Sequence, residues 1–365
     1  MGCRLNWPGL MLCSVKSLVY TYARARAHTP PRRIEFSFQR RTPRHGEAPT
    51  TVHRPPQRAM LSLLPPARLR AAPSDAPVAS PRRPAVILPG LGNNTGDYAR
   101  LAAALRDGHG VPSVVARVSR PDWLRNAAGL ADPSYWRGTL RPRPVLDWYL
   151  KRVEEAVSEA RELCSPDGKL SLIGHSAGGW LARVYMEEFG TSDISLLLTL
   201  GTPHLPPPKG VSGVIDQTRG LLNYVEKNCA PAVYTPELRY VCIAGRYIQG
   251  APLTRNSLAT TTDELVAVDA PSEVAEAVMA SADNKTAPTG PTFRARFVGQ
   301  GYKQVCGRAD VWGDGVVPEV SAHLEGALNI SFDGIYHSPV GSDDEERPWY
   351  GSPAILEQWV HHLLS

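Results

Sequence analysis

The stretch of the sequence best suited to chemistry is a serine held between two glycines, in the pattern Gly174-x-Ser176-x-Gly178. Glycines two positions before and after a serine remove the Cβ atoms that would clash where a strand turns sharply into a helix. The apolar run Leu170–Ile173 precedes the pattern, and apolar residues at helical spacing follow it from Trp180. The sequence therefore predicts a nucleophile elbow that carries Ser176 at its tip.

A serine hydroxyl is a weak nucleophile unless a histidine takes its proton and a carboxylate orients that histidine. An elbow serine is followed along the chain first by the acid and then by the histidine. Asp314 lies between two glycines in a predicted loop, and His337 follows the last predicted strand. We therefore predict Ser176, Asp314 and His337 as a catalytic triad, with Asp310 and Asp333 as the alternative acids.

The remaining candidate histidines fit the pattern less well. His175 lies inside the elbow and cannot turn back onto its neighbour, His204 precedes the acid, and His323 comes before the strand that would deliver it. His361 and His362 fall on the predicted C-terminal helix. We interpret these five histidines as packing or surface residues.

Acyl transfer by a serine also needs two backbone N–H groups that stabilise the negatively charged oxygen of the intermediate. The first is predicted at Ala177, where the helix after the elbow begins, and the second at Leu91, in the glycine-rich loop after the first strand. A phosphate-binding loop is the rival interpretation of Gly90–Gly92, but no Lys-Ser/Thr pair follows it. The predicted chemistry requires neither a metal nor a cofactor, and the six cysteines form no Cys-x-x-Cys pair.

Strands that alternate with helices over residues 84–365 predict an α/β fold, with a mostly parallel sheet and helices on both faces. The segment 205–236 holds a proline cluster and is predicted as a cap over the site, and 246–292 is predicted as a partly mobile insertion. The predicted strands are 84–88, 111–118, 170–173, 194–200, 238–244 and 327–332, and the other helices are 97–106, 145–163 and 353–364.

The net charge of +5 combines two segments of opposite sign. Residues 1–83 contain 15 Lys/Arg, 3 Asp/Glu and 12 prolines, whereas residues 84–365 contain 25 Lys/Arg and 32 Asp/Glu. The acidic domain argues against a nucleic-acid partner. The basic segment is predicted to be disordered and resembles a plastid transit peptide, which predicts a chloroplast protein, with the endoplasmic reticulum or another endomembrane as the alternative. Met1 and Met60 both remain open as the start.

Four segments in this order resemble the α/β-hydrolase superfamily: Pro89–Gly92, Gly174–Gly179, Gly201–His204 and Gly313–Pro318. The closest resemblance is to its lipase-like branch with a GPI inositol-deacylase type domain, including plastid-targeted plant members. The resemblance implies the same triad and an acyl-ester or lipid substrate that is hydrolysed through an acyl-enzyme. One departure is that many lipases have His-Gly where this chain has Pro89-Gly90.

Two other functions remain open on the same residues. One is acyl transfer to an acceptor other than water, and the other is non-catalytic ligand binding on the same fold. Eight tryptophans suggest peripheral contact with a membrane surface. The sequence does not indicate an oligomeric state.

Overall fold

Six apolar runs of the sequence form one parallel β-sheet in the computed structural model, which describes residues 82–165, 168–253 and 291–365. The strands are β1 (Ala85–Leu88), β2 (Ser113–Val115), β3 (Leu170–His175), β4 (Ile194–Leu200), β5 (Arg239–Arg246) and β8 (Leu328–Asp333). Their order in the sheet is β2-β1-β3-β4-β5-β8, and all five pairings are parallel. An antiparallel pair, β6 (Ile248–Gln249) with β7 (Trp312–Gly313), lies beyond β5 in the chain.

Burial explains why the central strands are apolar along their whole length. Every residue of β1, β3 and β4 is buried, since helices cover both faces of the sheet. Within β1, Val86 and Leu88 belong to the core on one face, and Ala85 and Ile87 to the core on the other. In contrast, β8 pairs only with β5, and its residues are half-buried or exposed.

The helices follow the strands in the alternation that the sequence predicts. Apolar residues of α3 at helical spacing, such as Val153 and Val157, pack into the core on one face of the sheet. Trp359 of α8 packs into the core on the other face. The helices are α1 (Ala99–Ala103), α2 (Pro133–Arg137), α3 (Asp147–Arg161), α4 (Ala177–Phe189), α5 (Leu221–Asn228), α6 (Phe293–Cys306), α7 (Glu319–Ala322), α8 (Pro353–Trp359) and α9 (His361–Leu364).

The structure differs from the predicted elements in a few places. The strand predicted at 111–118 is reduced to β2, and the segment 205–236 contains the single helix α5. The helix α6 has no counterpart among the predicted elements. Most of the predicted insertion, 254–290, and all but the last two residues of the predicted targeting segment 1–83 lie outside the described residues. No helix in the described part of the chain is long and apolar enough to cross a membrane.

Candidate active site

The serine of the elbow stands between β3 and α4 in a strained backbone conformation. Ser176 has φ 52° and ψ −127°, a combination that residues with a side chain rarely adopt. The surrounding structure holds it there, because the Ser176 N–H donates to the Leu200 carbonyl at 2.9 Å. The residue is half-buried, so its side chain retains access to solvent.

The glycines around the serine are required by close backbone contacts. A Cβ on Gly174 would lie 2.4 Å from the Cα of Gly179, and one on Gly178 would lie 2.2 Å from the carbonyl oxygen of Leu88. Both distances are far below normal contact. The elbow therefore packs directly against the end of β1, as the glycine spacing predicts.

The loop after β1 reaches the elbow from the side. A Cβ on Gly90 would lie 2.8 Å from Ser176 Cβ and 3.1 Å from His175 Nδ1. Glycine at position 90 is thus the residue that lets this loop approach the serine.

Asp314 and His337 form a buried pair after β7 and β8. His337 Nδ1 lies 2.7 Å from Asp314 Oδ2, and the His337 N–H donates to the Asp314 carbonyl at 3.0 Å. The side chain of Asp314 is 1% exposed and that of His337 is 7% exposed. In this low-dielectric setting the carboxylate orients the imidazole and stabilises a positive charge on it.

The Asp314 carboxylate accepts further hydrogen bonds that fix its plane. The Tyr350 hydroxyl donates to Oδ2 at 2.7 Å, and the backbone N–H groups of Val316 and Val317 donate to Oδ1 at 3.0 and 2.7 Å. Burial, together with the neighbouring Asp314, raises the pKa of Tyr350 well above its ordinary value, so this phenol remains a donor. Tyr350 was not predicted as a site residue, because nothing in its local sequence connects it with an acid 36 positions away.

The imidazole of His337 lies next to the elbow. Its ring centroid is 4.9 Å from that of His175, the residue directly before Ser176. The structure therefore brings the loops that carry the three predicted triad residues to the carboxyl edge of one sheet, where open α/β sheets bind their ligands.

The two predicted oxyanion donors lie on segments next to the serine: Ala177 follows it directly, and Leu91 follows Gly90, a loop residue that approaches Ser176. Ala177 is the first residue of α4, where backbone N–H groups have no partner within the helix. In the turn after β1, the carbonyl of Gly90 accepts from the Asn93 N–H at 3.1 Å, and Gly92 has φ 81°. The peptide bond between Gly90 and Leu91 is trans, so the Leu91 N–H points in the direction opposite to the Gly90 carbonyl. It therefore takes no part in the hydrogen bond that closes the turn.

The alternative candidates lie in other environments. Asp310 is paired with Arg308, and Asp333 forms two hydrogen bonds with Arg246; both carboxylates are exposed. His204 is completely buried, and burial lowers its pKa to about 3.

Two more candidate histidines are also accounted for. His323 lies 3.1 Å from the Ser331 hydroxyl, in the chain region of α7 and β8. His175, interpreted from the sequence as a packing residue, is buried with both ring nitrogens engaged in hydrogen bonds.

Across the three described ranges, no group of three or more histidine, cysteine, aspartate or glutamate side chains is arranged to hold a metal ion. The four cysteines in these ranges are free thiols: Cys164, Cys229, Cys242 and Cys306.

The described residues have the architecture of an α/β hydrolase: a parallel sheet, helices on both faces and a strand–elbow–helix unit that carries a serine. Residues 145–246, from the end of the loop before α3 to the end of β5, match the PGAP1-like alpha/beta domain family. This match confirms the resemblance predicted from the sequence motifs. It includes the elbow and ends before Asp314 and His337.

Several solved structures are similar to this chain at low identity. The lipase BlEst2 of Bacillus licheniformis is 14% identical, with 78% of this chain and 93% of that chain covered and a TM-score of 0.39. Lipase 1 of Pelosinus fermentans is 10% identical, with 78% and 99% covered and a TM-score of 0.38. LpqC, a poly(3-hydroxybutyrate) depolymerase of Bordetella parapertussis, is 18% identical, with 71% and 77% covered and a TM-score of 0.32. No curated protein matches the sequence.

Proposed function

We propose that this protein is a serine ester hydrolase that cleaves carboxylic esters, in particular those of lipids, through an acyl-enzyme intermediate. Ser176 is the nucleophile, His337 the general base and acid, and Asp314 the residue that orients His337. The observation that carries the proposal is the buried hydrogen bond of 2.7 Å between His337 and Asp314, beside a serine in a strained elbow.

The proposed reaction has two steps with balanced proton transfers. Ser176 Oγ attacks the ester carbonyl while its proton moves to His337 Nε2, and the N–H groups of Leu91 and Ala177 donate to the resulting oxyanion. His337 then returns the proton to the leaving alcohol. Water, activated by the same imidazole, attacks the acyl-enzyme and releases the acid.

The direct test replaces Ser176 with alanine and follows hydrolysis of p-nitrophenyl butyrate and labelling by a fluorophosphonate probe. Ser176→Ala should abolish both, while thermal unfolding changes little. Ser171→Ala is a matched control on β3, because the Ser171 hydroxyl is buried without a hydrogen-bond partner. This control should keep wild-type turnover and labelling.

Three outcomes separate the candidate functions. Turnover retained by Ser176→Ala contradicts the proposed nucleophile. A wild-type protein that neither turns over esters nor reacts with the probe supports non-catalytic binding. Labelling together with transfer of the acyl group to an added alcohol, with little free acid released, supports acyl transfer.

A lipid substrate is favoured by exposed apolar side chains, two of which lie near the carboxyl edge of the sheet. Leu91 on the loop beside Ser176 is 58% exposed, and Trp312, two residues before Asp314, is 46% exposed. Trp136 of α2 is 63% exposed. We propose that these three residues contact a membrane surface peripherally.

Vesicle sedimentation tests this contact. The Trp136→Ser and Trp312→Ser variants should each bind phosphatidylcholine vesicles several-fold more weakly than wild type. The control is Phe189→Ser, which changes an exposed aromatic side chain at the opposite end of α4. Equal binding by all four proteins contradicts the proposed contact.

We also propose import into the chloroplast through residues 1–83, on the basis of their composition. A fluorescent reporter fused after residue 83 should enter plastids of plant cells. Delivery of the reporter to the endoplasmic reticulum would favour the alternative location.

A further inference from the structure

His175 uses both of its ring nitrogens in buried hydrogen bonds that leave the elbow. Its Nε2 lies 2.8 Å from the backbone carbonyl oxygen of His337, and its Nδ1 lies 2.7 Å from the hydroxyl of Tyr98. Because a carbonyl oxygen only accepts, Nε2 must carry the hydrogen.

The protonation state then follows for the other nitrogen. Burial, together with the neighbouring His337, lowers the pKa of His175 well below its ordinary value, so the ring is neutral and Nδ1 accepts. Burial raises the pKa of Tyr98, so its hydroxyl keeps the proton that it donates to Nδ1. Asn93 Oδ1 also lies near this hydroxyl, at 3.2 Å, but the shorter contact to His175 takes the proton.

The same tyrosine holds the loop after β1. The Gly90 N–H donates to the Tyr98 hydroxyl at 2.9 Å, while the Tyr149 hydroxyl donates to the Pro89 carbonyl at 2.7 Å. Two buried phenols therefore bind the two ends of the Pro89–Gly90 peptide. The next N–H along the chain is that of Leu91.

We propose that His175 and Tyr98 are positioning residues that tie the Gly90–Leu91 loop to the backbone of His337. The link consists of three hydrogen bonds: Gly90 N–H to Tyr98, Tyr98 O–H to His175 Nδ1, and His175 Nε2–H to the His337 carbonyl. This inference rests on the proposed function, because the two segments that it joins carry the proposed oxyanion donor and the proposed base.

The link also determines which imidazole accepts the serine proton. His175 directly precedes Ser176, and its ring centroid lies 4.9 Å from that of His337. Both nitrogens of His175 are occupied, one by its own hydrogen and one by the hydrogen of Tyr98. The proton of Ser176 therefore has only His337 as its acceptor among these two rings.

A double-mutant cycle tests the link on the full chain with p-nitrophenyl butyrate. Tyr98→Phe removes the hydroxyl, and His175→Gln keeps an amide donor for the His337 carbonyl but loses the acceptor for Tyr98. His175→Gln should lower kcat by about tenfold, the effect of one net hydrogen bond in the site. Tyr98→Phe should lower it further, because it also removes the acceptor of the Gly90 N–H. KM should change less than twofold in both variants. Since Tyr98→Phe already removes the contact that His175→Gln breaks, the double variant should be no slower than Tyr98→Phe alone.

Tyr149→Phe is the matched control, because it removes another buried phenol bond to the same loop outside the link. The fold-losses in kcat caused by Tyr149→Phe and by His175→Gln should multiply in the variant that carries both substitutions. His175→Leu, which removes both contacts of the ring, should be slower than His175→Gln. Thermal unfolding of each variant shows whether a loss of activity comes from a loss of the folded structure.

The inference is overturned if the losses of Tyr98→Phe and His175→Gln multiply in the double variant, or if their effects are confined to KM. It is also overturned if His175→Gln and His175→Leu are equally active. By contrast, wild-type protein without esterase activity and without fluorophosphonate labelling overturns the proposed function itself.

Discussion

Replacing Gly90 with alanine tests how closely the loop after β1 must approach the serine. The added Cβ would lie 2.8 Å from Ser176 Cβ, 3.1 Å from His175 Nδ1 and 3.2 Å from Asn93 Oδ1. Carbon atoms in contact prefer a separation of about 3.5 to 4.0 Å, so the loop or the elbow must move by about 1 Å. Both segments are held by buried hydrogen bonds, and the strain has no flexible side chain to absorb it.

The size of the effect follows from that displacement. A shift of about 1 Å in a catalytic geometry typically costs about 100-fold in rate, or about 2.7 kcal/mol. This is comparable to the loss of one oxyanion donor. Overpacking of this kind also lowers the free energy of unfolding by about 1 to 3 kcal/mol.

The assay compares kcat and KM for p-nitrophenyl butyrate with the free energy of unfolding from urea denaturation. Gly301→Ala is the control, because a Cβ at that position of α6 meets no atom within 4 Å. This control should keep wild-type kcat and raise the free energy of unfolding by about 0.5 to 1 kcal/mol, since alanine is the better residue inside a helix.

A Gly90→Ala variant that folds and retains wild-type kcat would contradict this prediction. In that case the loop does not need its present distance from Ser176, and Leu91 loses its support as an oxyanion donor. A loss of kcat in the Gly301→Ala control would equally contradict the interpretation.

Two further predictions concern buried polar groups. Tyr350→Phe removes a donor from the Asp314 carboxylate and leaves the Gly245 N–H without its acceptor. The free energy of unfolding should therefore fall by about 3 kcal/mol, and kcat should fall with it. Urea denaturation and ester kinetics that match wild type would contradict this prediction. His204 is neutral in the folded protein, because burial lowers its pKa from 6.5 to about 3. Stability should therefore be complete above about pH 6.5 and decrease, through this histidine, by about 1.4 kcal/mol per pH unit as the pH falls from there toward 3. Urea denaturation should show that the free energy of unfolding decreases less between about pH 7.5 and about pH 5 for His204→Asn than for wild type. Equal decreases in the two proteins would show that His204 does not cause the pH dependence.

The elements that the sequence predicted well depend on local physics. The elbow could be predicted because crowding between β3 and α4 requires glycines at fixed positions around Ser176. The central strands could be predicted because burial on both faces requires continuous apolar runs. The start of the helix predicted at 97–106 was placed less well. The helical turn before α1 begins earlier, with Asn94 as its N-cap residue, and Asp97 accepts from the Asn94 N–H as the third residue of a capping box.

Local patterns along the chain were enough to predict the alternation of strands and helices, the glycine-spaced serine, and the order of an acid and a histidine after it. The distant side chains that hold those residues in place could be identified only in the folded protein. His175 contacts Tyr98 and His337, which are 77 and 162 positions away, and Tyr350 reaches an acid 36 positions before it. Glycine spacing and apolar periodicity depend on residues that are close in the chain, whereas a buried hydrogen bond needs two segments that only the completed sheet brings together.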